Sequence, residues 1–152
     1  MPRHSSLVPL SHDHHEALLI ALRLKKGGPT SQHDHLWPTD LKNQIHSLQL
    51  FFERELLPHF KLEEEILFPL ASGLIEMQLL VKSLLLDHQK MREIIAEISQ
   101  YRVDDSDNTD LKAILAGFGL LLESHVRTEE RELFPKLEEA EKNGRIVIPV
   151  LK

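Results

Sequence analysis

HFKLEEEILFP at residues 59–69 returns as HVRTEERELFP at residues 125–135. Both copies read His, three residues, Glu-Glu, two residues, Leu-Phe-Pro, and they lie 66 positions apart in a chain whose surrounding sequence is largely unrelated. Residues four apart share a helix face, so His59 with Glu63 and His125 with Glu129 each present an imidazole beside a carboxylate. Such a pair is a two-toothed metal ligand of the kind that suits iron, manganese or zinc.

Outward from the repeat, helical periodicity covers four stretches. The first runs from about Ser11 to Lys26, with Ser11 or an earlier serine as its cap, and stops at Gly27-Gly28-Pro29. Its apolar stripe is Leu10, Ala17, Leu18, Ala21 and Leu24. A polar loop, TSQHDHLWP, leads to a second helix from Leu41 to about Leu70, capped by Thr39 or Asp40 and broken at Gly73. The third spans about Leu74 to Arg102. The acidic stretch DDSDNTD reads as a solvated turn and cap before a fourth helix, about Leu111 to Lys142, closed by Asn143-Gly144. Pro58, Pro69 and Pro135 lack the N–H that would bond four residues back, which predicts bends or helix ends beside the repeated motifs. These features predict an all-α chain folded as an up-down-up-down four-helix bundle.

The bundle gives the repeat a shape. Asp13-His14 in the first helix matches Asp87-His88 in the third, so the chain reads as two helical hairpins, each supplying Asp-His and then His-x-x-x-Glu. Paired by a pseudo-twofold axis, they would bring four imidazoles and two carboxylates together in the interior. Glu64 and Glu130, one residue further round, are expected to face solvent or to orient a histidine. Leu67, Phe68, Leu133 and Phe134 read as core.

Composition narrows the chemistry. The chain has 152 residues, 41% hydrophobic and 28% charged, which suits a single domain with residues 144–152 as a C-terminal tail. Cysteine is absent, so any metal is held by nitrogen and oxygen, and ten histidines call for an explanation. A net charge of -6 gives no reason to expect nucleic-acid binding. No apolar run reaches the ~20 residues of a bilayer crossing, and the N-terminus lacks the apolar core of a signal peptide, so no membrane association and a cytoplasmic location are expected. The tail segment IVIPVL, residues 146–151, reads either as a strand that pairs with a second copy in a homodimer or as a docked terminal segment.

Other metal signatures fit less well. Ferritin-like di-iron enzymes place the acid first with a spacing of three, the reverse of both copies here. The zinc-protease pattern His-Glu-x-x-His fails at Leu19, and DDSDNTD lacks the central glycine of a calcium loop.

In these motifs the chain resembles the hemerythrin-like, HHE cation-binding domain family, and the resemblance extends over all four helices. It implies a non-haem di-iron centre with two iron ions, room for an oxygen bridge, Glu63 and Glu129 bridging, and His14, His59, His88 and His125 as terminal ligands. It also implies reversible or reactive chemistry with a small diatomic ligand, O2 or NO. One position departs: oxygen-carrying hemerythrins place a second histidine one turn after the third-helix ligand, where this chain has Arg92. In the first helix His14 aligns with Ala17, Ala21 and Leu24, while His15 has Leu18, Leu19 and Leu22 on its side and stays a second candidate. In similar di-iron proteins of iron–sulfur cluster repair a further histidine comes from the segment joining the first two helices, which here points to His35. The functions in view are therefore a di-iron protein handling or sensing O2, NO or iron, a di-iron redox or cluster-repair protein, and a metal-free helical bundle for protein association. The lack of the extra histidine predicts a centre that reacts rather than stores, with Leu56, Ile66 and Leu133 as its apolar lining.

Overall fold

Three prolines set the local geometry around the repeated motif. In the computed structural model, which describes residues 2–103 and 108–151, each of them sits inside a continuous helix without ending it. The turn before each proline widens instead. Segments Phe52–Leu56, Glu63–Leu67 and Glu129–Leu133 are π-helical, and each finishes two residues before Pro58, Pro69 or Pro135. The residue directly before the proline donates its N–H to the carbonyl five back: Leu57 to Phe52, Phe68 to Glu63 and Phe134 to Glu129. A proline has no N–H for the carbonyl four back, and its ring crowds that oxygen, so a wider turn relieves the clash at little loss of hydrogen bonding. Bends or helix ends are expected at these prolines; the prolines do not end the helices, since helix resumes over Phe68–Ser72 and Phe134–Lys142.

Four long helices result. We label them α1 (Val8–Lys26), α2 (residues 41–72), α3 (Gln78–Ile98) and α4 (residues 109–142). Short 3-10 turns, Ser5–Leu7 and Ile75–Met77, lead into α1 and α3. Ser11 does not cap α1. The chain turns earlier, at His4, whose Nδ1 accepts the Ser6 N–H at 3.1 Å, and Ser11 lies within the helix. Asp40 caps α2 as expected, accepting the Asn43 N–H at 3.1 Å. Gly27 (φ 83°) closes α1, and Gly144 (φ 74°) closes α4, where the Arg145 N–H reaches back to the Ala140 carbonyl at 2.9 Å. The acidic turn read at residues 104–107 lies outside the described residues.

Two apolar cores fill the bundle, one at each end. Leu7 and Leu10 of α1 and its lead-in pack with Leu67, Phe68, Val81, Leu84, Leu133, Phe134 and Leu137. Ala17, Ala21 and Leu24 pack with Leu48, Phe60, Met91, Leu115, Phe118 and Leu122. Residue number rises from the first core to the second along α1 and α3, and from the second to the first along α2 and α4. That alternation is the up-down-up-down course. Between the cores runs a buried polar layer of His14, His59, Glu63, His88, His125 and Glu129.

The segments outside the helices are anchored. The α1–α2 loop is held by Arg23, whose guanidinium donates to both oxygens of Asp34 at 3.0 and 2.7 Å and lies over the buried Trp37 ring. Residues 146–151 form no strand. Ile148 and Leu151 bury their side chains in the first core, and the Ile148 N–H bonds to Glu141, as the docked-segment reading expects.

Helices α1 and α4 approach closely at Gly119, where an added Cβ would meet the Ala21 carbonyl oxygen at 2.7 Å. Gly117, two residues earlier, would meet nothing within 4 Å. We expect opposite signs in chemical denaturation of the metal-free protein. Gly119→Ala should lose about 1–3 kcal/mol by forcing backbone apart, and Gly117→Ala should gain up to about 1 kcal/mol by helix propensity alone.

Candidate metal centre

The polar layer is built from two pairs of helices. Each Asp-His unit sends its aspartate across to the next helix: His59 Nδ1 donates to Asp13 at 3.0 Å, and His125 Nδ1 donates to Asp87 at 3.0 Å. Each second glutamate of the repeated motif serves the remaining imidazoles. His88 Nδ1 donates to Glu64 at 2.7 Å, while His14 Nδ1 lies 3.5 Å from Glu130. Because a carboxylate only accepts, these contacts place the proton on Nδ1 and leave the Nε2 lone pair free to ligate. All four Nε2 atoms then point inward, at the carboxylates of Glu63 and Glu129.

The inward distances are short for groups that, with the imidazoles neutral and protonated on Nδ1, are all acceptors. Glu63 Oε1 is 3.4 Å from His59 Nε2 and 3.2 Å from His88 Nε2. Glu129 Oε1 is 3.4 Å from His14 Nε2 and 3.0 Å from His125 Nε2. His88 and His125 face each other, Nε2 to Nε2, at 3.1 Å. Both glutamates are fully buried, and neither they nor the His14 nitrogens have a hydrogen-bond partner. Buried acceptors facing acceptors are costly unless a positive charge lies among them. The arrangement thus fits a metal site, and two overlapping groups of these residues could hold an ion. One set is His14, His59, Glu63 and Glu129, the other is Glu63, His88 and His125, and Glu63 belongs to both.

The local charges follow from this packing. Burial alone would lower the His59 imidazolium, but the Glu63 carboxylate beside it and the Asp13 hydrogen bond outweigh burial and raise it to about 10. Burial would raise Glu63, yet His59 and His88 hold it well below the usual carboxylate range. Burial pulls His125 down despite the opposing Asp87 hydrogen bond. Glu64 and Glu130 also resist the upward push of burial, the first through Arg92 and His88, the second through His14 and Ser11, and both are lowered. Glu64 is therefore an ionised acceptor for the His88 Nδ1 proton, and Glu130 an ionised carboxylate close to His14 Nδ1.

A narrow cavity reaches this layer between α1, α2 and α4, with about 10 Å³ of room for the centre of a water-sized guest. Ala17, Phe51, Leu56, Phe60, Leu122 and Val126 give it apolar walls; His14, His59, His125 and Glu129 border it on the polar side. Leu56 is the one expected lining residue found there. Ile66 and Leu133 belong to the other core, because the π turn after Glu63 and its counterpart after Glu129 carry them past the layer.

The structure brings together six of the eight residues singled out as ligands: His14, His59, Glu63, His88, His125 and Glu129. It leaves out the other two. His15 is exposed, one step (about 100°) further round α1. Of the three leucines on its side, Leu18 is partly buried against the core, but Leu19 and Leu22 are exposed, so that side lies at the edge of the buried face. His35 is exposed in the α1–α2 loop, where the inward neighbours are Asp34 and Trp37. Arg23, which anchors this loop, stands nine residues beyond His14, about 13 Å along the helix. Sequence reasoning did not assign the partners of Asp13 and Asp87, although their repetition beside histidine was the available signal. It also missed Phe60, whose ring stacks on His88 at 3.7 Å.

Substitution should separate inner from outer carboxylates. Glu63→Ala and Glu129→Ala should each abolish or halve metal retention after desalting. Glu64→Ala and Glu130→Ala should retain metal with affinity lowered about 10–100-fold, and His15→Ala and His35→Ala should bind as the wild type does. Elemental analysis of the six proteins checks this; equal losses at all four glutamates would contradict the assignment of the inward face.

Comparison with known proteins bears on the same residues. Neither a curated protein nor a solved structure matches the chain. A family model, described as the hemerythrin HHE cation binding domain, matches residues 6–137 and so includes every residue of the polar layer. With an all-helical bundle, a duplicated His-x-x-x-Glu and a buried cluster that fits a metal site, the chain belongs to the hemerythrin HHE cation-binding family.

Proposed function

We propose that the protein is a non-haem di-iron protein that senses or reacts with a small diatomic ligand, O2 or NO. The observation that carries this reading is Glu63, whose buried carboxylate is common to both ligand sets, as a bridging ligand would be. Four imidazole nitrogens and two carboxylates suit iron better than calcium or magnesium, which favour all-oxygen sites. Bound there, a di-iron pair would supply electrons to an oxidising diatomic ligand.

The chain's own residues would do the rest. His14 and His59 with Glu129 would hold one ion, His88 and His125 the other, with Glu63 common to both. Asp13, Asp87, Glu64 and Glu130 orient the imidazoles by holding, or in Glu130 approaching, their Nδ1 protons. The cavity's apolar walls and its small free space favour a guest of two heavy atoms over a larger substrate. Arg92, at the position of the carriers' extra histidine, is turned onto Glu64 and offers no nitrogen lone pair to a metal. Fewer nitrogens fix the site, which supports reaction over storage.

Protein reconstituted anaerobically with ferrous iron should hold close to two ions per chain and should show a higher melting temperature than the metal-free form, since the ions bind only the folded state. Mixed with oxygenated buffer in a stopped-flow spectrometer, it should oxidise rapidly and should not recover its starting spectrum when oxygen is removed. Full recovery over repeated cycles would indicate an oxygen carrier. Failure to retain any metal would favour the association-module reading.

A further inference from the structure

The two halves of the centre are not held alike. On one side, Arg92 lies one turn beyond His88 on α3, and its guanidinium grips Glu64 with two hydrogen bonds, Nη1 to Oε2 at 2.8 Å and Nη2 to Oε1 at 2.9 Å. The same Oε2 accepts the His88 Nδ1 proton at 2.7 Å. Arg92 Cζ also sits 5.6 Å from the centre of the Phe60 ring, which is stacked on His88 with centroids 3.7 Å apart. One side chain therefore touches both groups that fix the His88 ring.

The other side has the same parts in looser form. Glu130 is 3.5 Å from His14 Nδ1 and takes its hydrogen bond from the Ser11 hydroxyl at 2.8 Å. Arg3 lies over Phe134, which stacks on His14 with centroids 5.6 Å apart, but its side chain is 3.8 Å from the Glu130 carboxylate and binds Glu138 more closely, at 2.6 Å. A bidentate Arg–carboxylate pair fixes direction as well as distance, whereas a hydroxyl and a distant guanidinium do not.

We infer that Arg92 is a positioning residue, which through Glu64 and Phe60 fixes the His88 ring and makes the His88–His125 position the tighter of the two metal positions. The inference rests on the two-metal reading. Its residue-level prediction is selective: loss of the clamp weakens one ion and spares the other. A purely structural role for Arg92 would alter the stability of the metal-free bundle and both ions together.

The test is titration of the metal-free protein with Co2+, whose ligand-field absorption reports each site. Arg92→Met keeps a long side chain over Phe60 and removes the clamp, and it should weaken the tighter ion by at least about tenfold, shift that ion's absorption band and leave the other unchanged. Arg92→Lys should recover part of the affinity. In a Glu64→Gln background, Arg92→Met should add nothing, since the clamp acts through that carboxylate. Circular dichroism and thermal melting of the metal-free variants confirm that each folds. Wild-type uptake of two ions with Arg92→Met binding both normally, or both equally weakly, overturns the clamp. An undiminished effect of Arg92→Met in the Glu64→Gln background does the same. Wild-type uptake of a single ion overturns the two-metal reading instead, and uptake of none overturns both.

Discussion

Each imidazole of the polar layer faces an outer carboxylate through Nδ1, and the remaining geometry depends on that commitment. With the protons held on the outside, four Nε2 lone pairs and two buried glutamates converge on each other at 3.0–3.4 Å. Nothing in this interior can donate to them except protons or cations. The site is thus defined by a shortage of donors, created by placing Asp13, Asp87, Glu64 and Glu130 each against an imidazole Nδ1.

That shortage has a structural cost, which the fold accommodates by position. A layer of six buried titratable groups cuts the apolar interior into two cores, and each core must be packed well enough to carry the layer between them. Phe60 and Phe134 do so at its edges by stacking on His88 and His14, which covers the imidazole faces with carbon and leaves only their edges polar. The π turns contribute at the same level. Glu63 and Glu129 are the first residues of two such turns, so the wider helix begins where the inward carboxylate leaves the chain and ends before the motif's proline. The adjacent glutamates, Glu64 and Glu130, then reach neighbouring helices and not solvent alone. Glycine does comparable work between α1 and α4, where Gly119 lets the Ala21 backbone approach close enough to bring His14 and Glu129 into one layer.

Much of this was legible because it repeats. The His-x-x-x-Glu pair, its duplicate and the two Asp-His units name all six inward residues, and helical periodicity with glycine stops places the four helices within a few residues of their observed bounds. The errors have physical origins. His15 looked plausible because leucines flank it, but of Leu18, Leu19 and Leu22 only Leu18 packs partly against the core, and apolar residues on a surface carry no sign of which face is buried. His35 was drawn from a resemblance in a segment whose path is set by the Arg23–Asp34 pair, a tertiary contact that local pattern does not reveal. The prolines were read as bends or ends, with no sign of the wider turn before each, because a π turn is rare and has no compositional mark. The clamp at Arg92 was invisible for a similar reason: its partner Glu64 is 28 residues away, on another helix.

The most direct test of the central claim is the protonation and ligation state of the histidines in the protein loaded with a diamagnetic ion. Two-bond nitrogen–proton correlation spectra of uniformly nitrogen-labelled, Zn2+-loaded protein distinguish a metal-bound Nε2 with a protonated Nδ1 from the reverse. The account predicts that four of the ten histidines, His14, His59, His88 and His125, show the first pattern, and that His15 and His35 bind no metal. Metal bound through Nδ1 at any of the four, or ligation by His15 or His35, would contradict it.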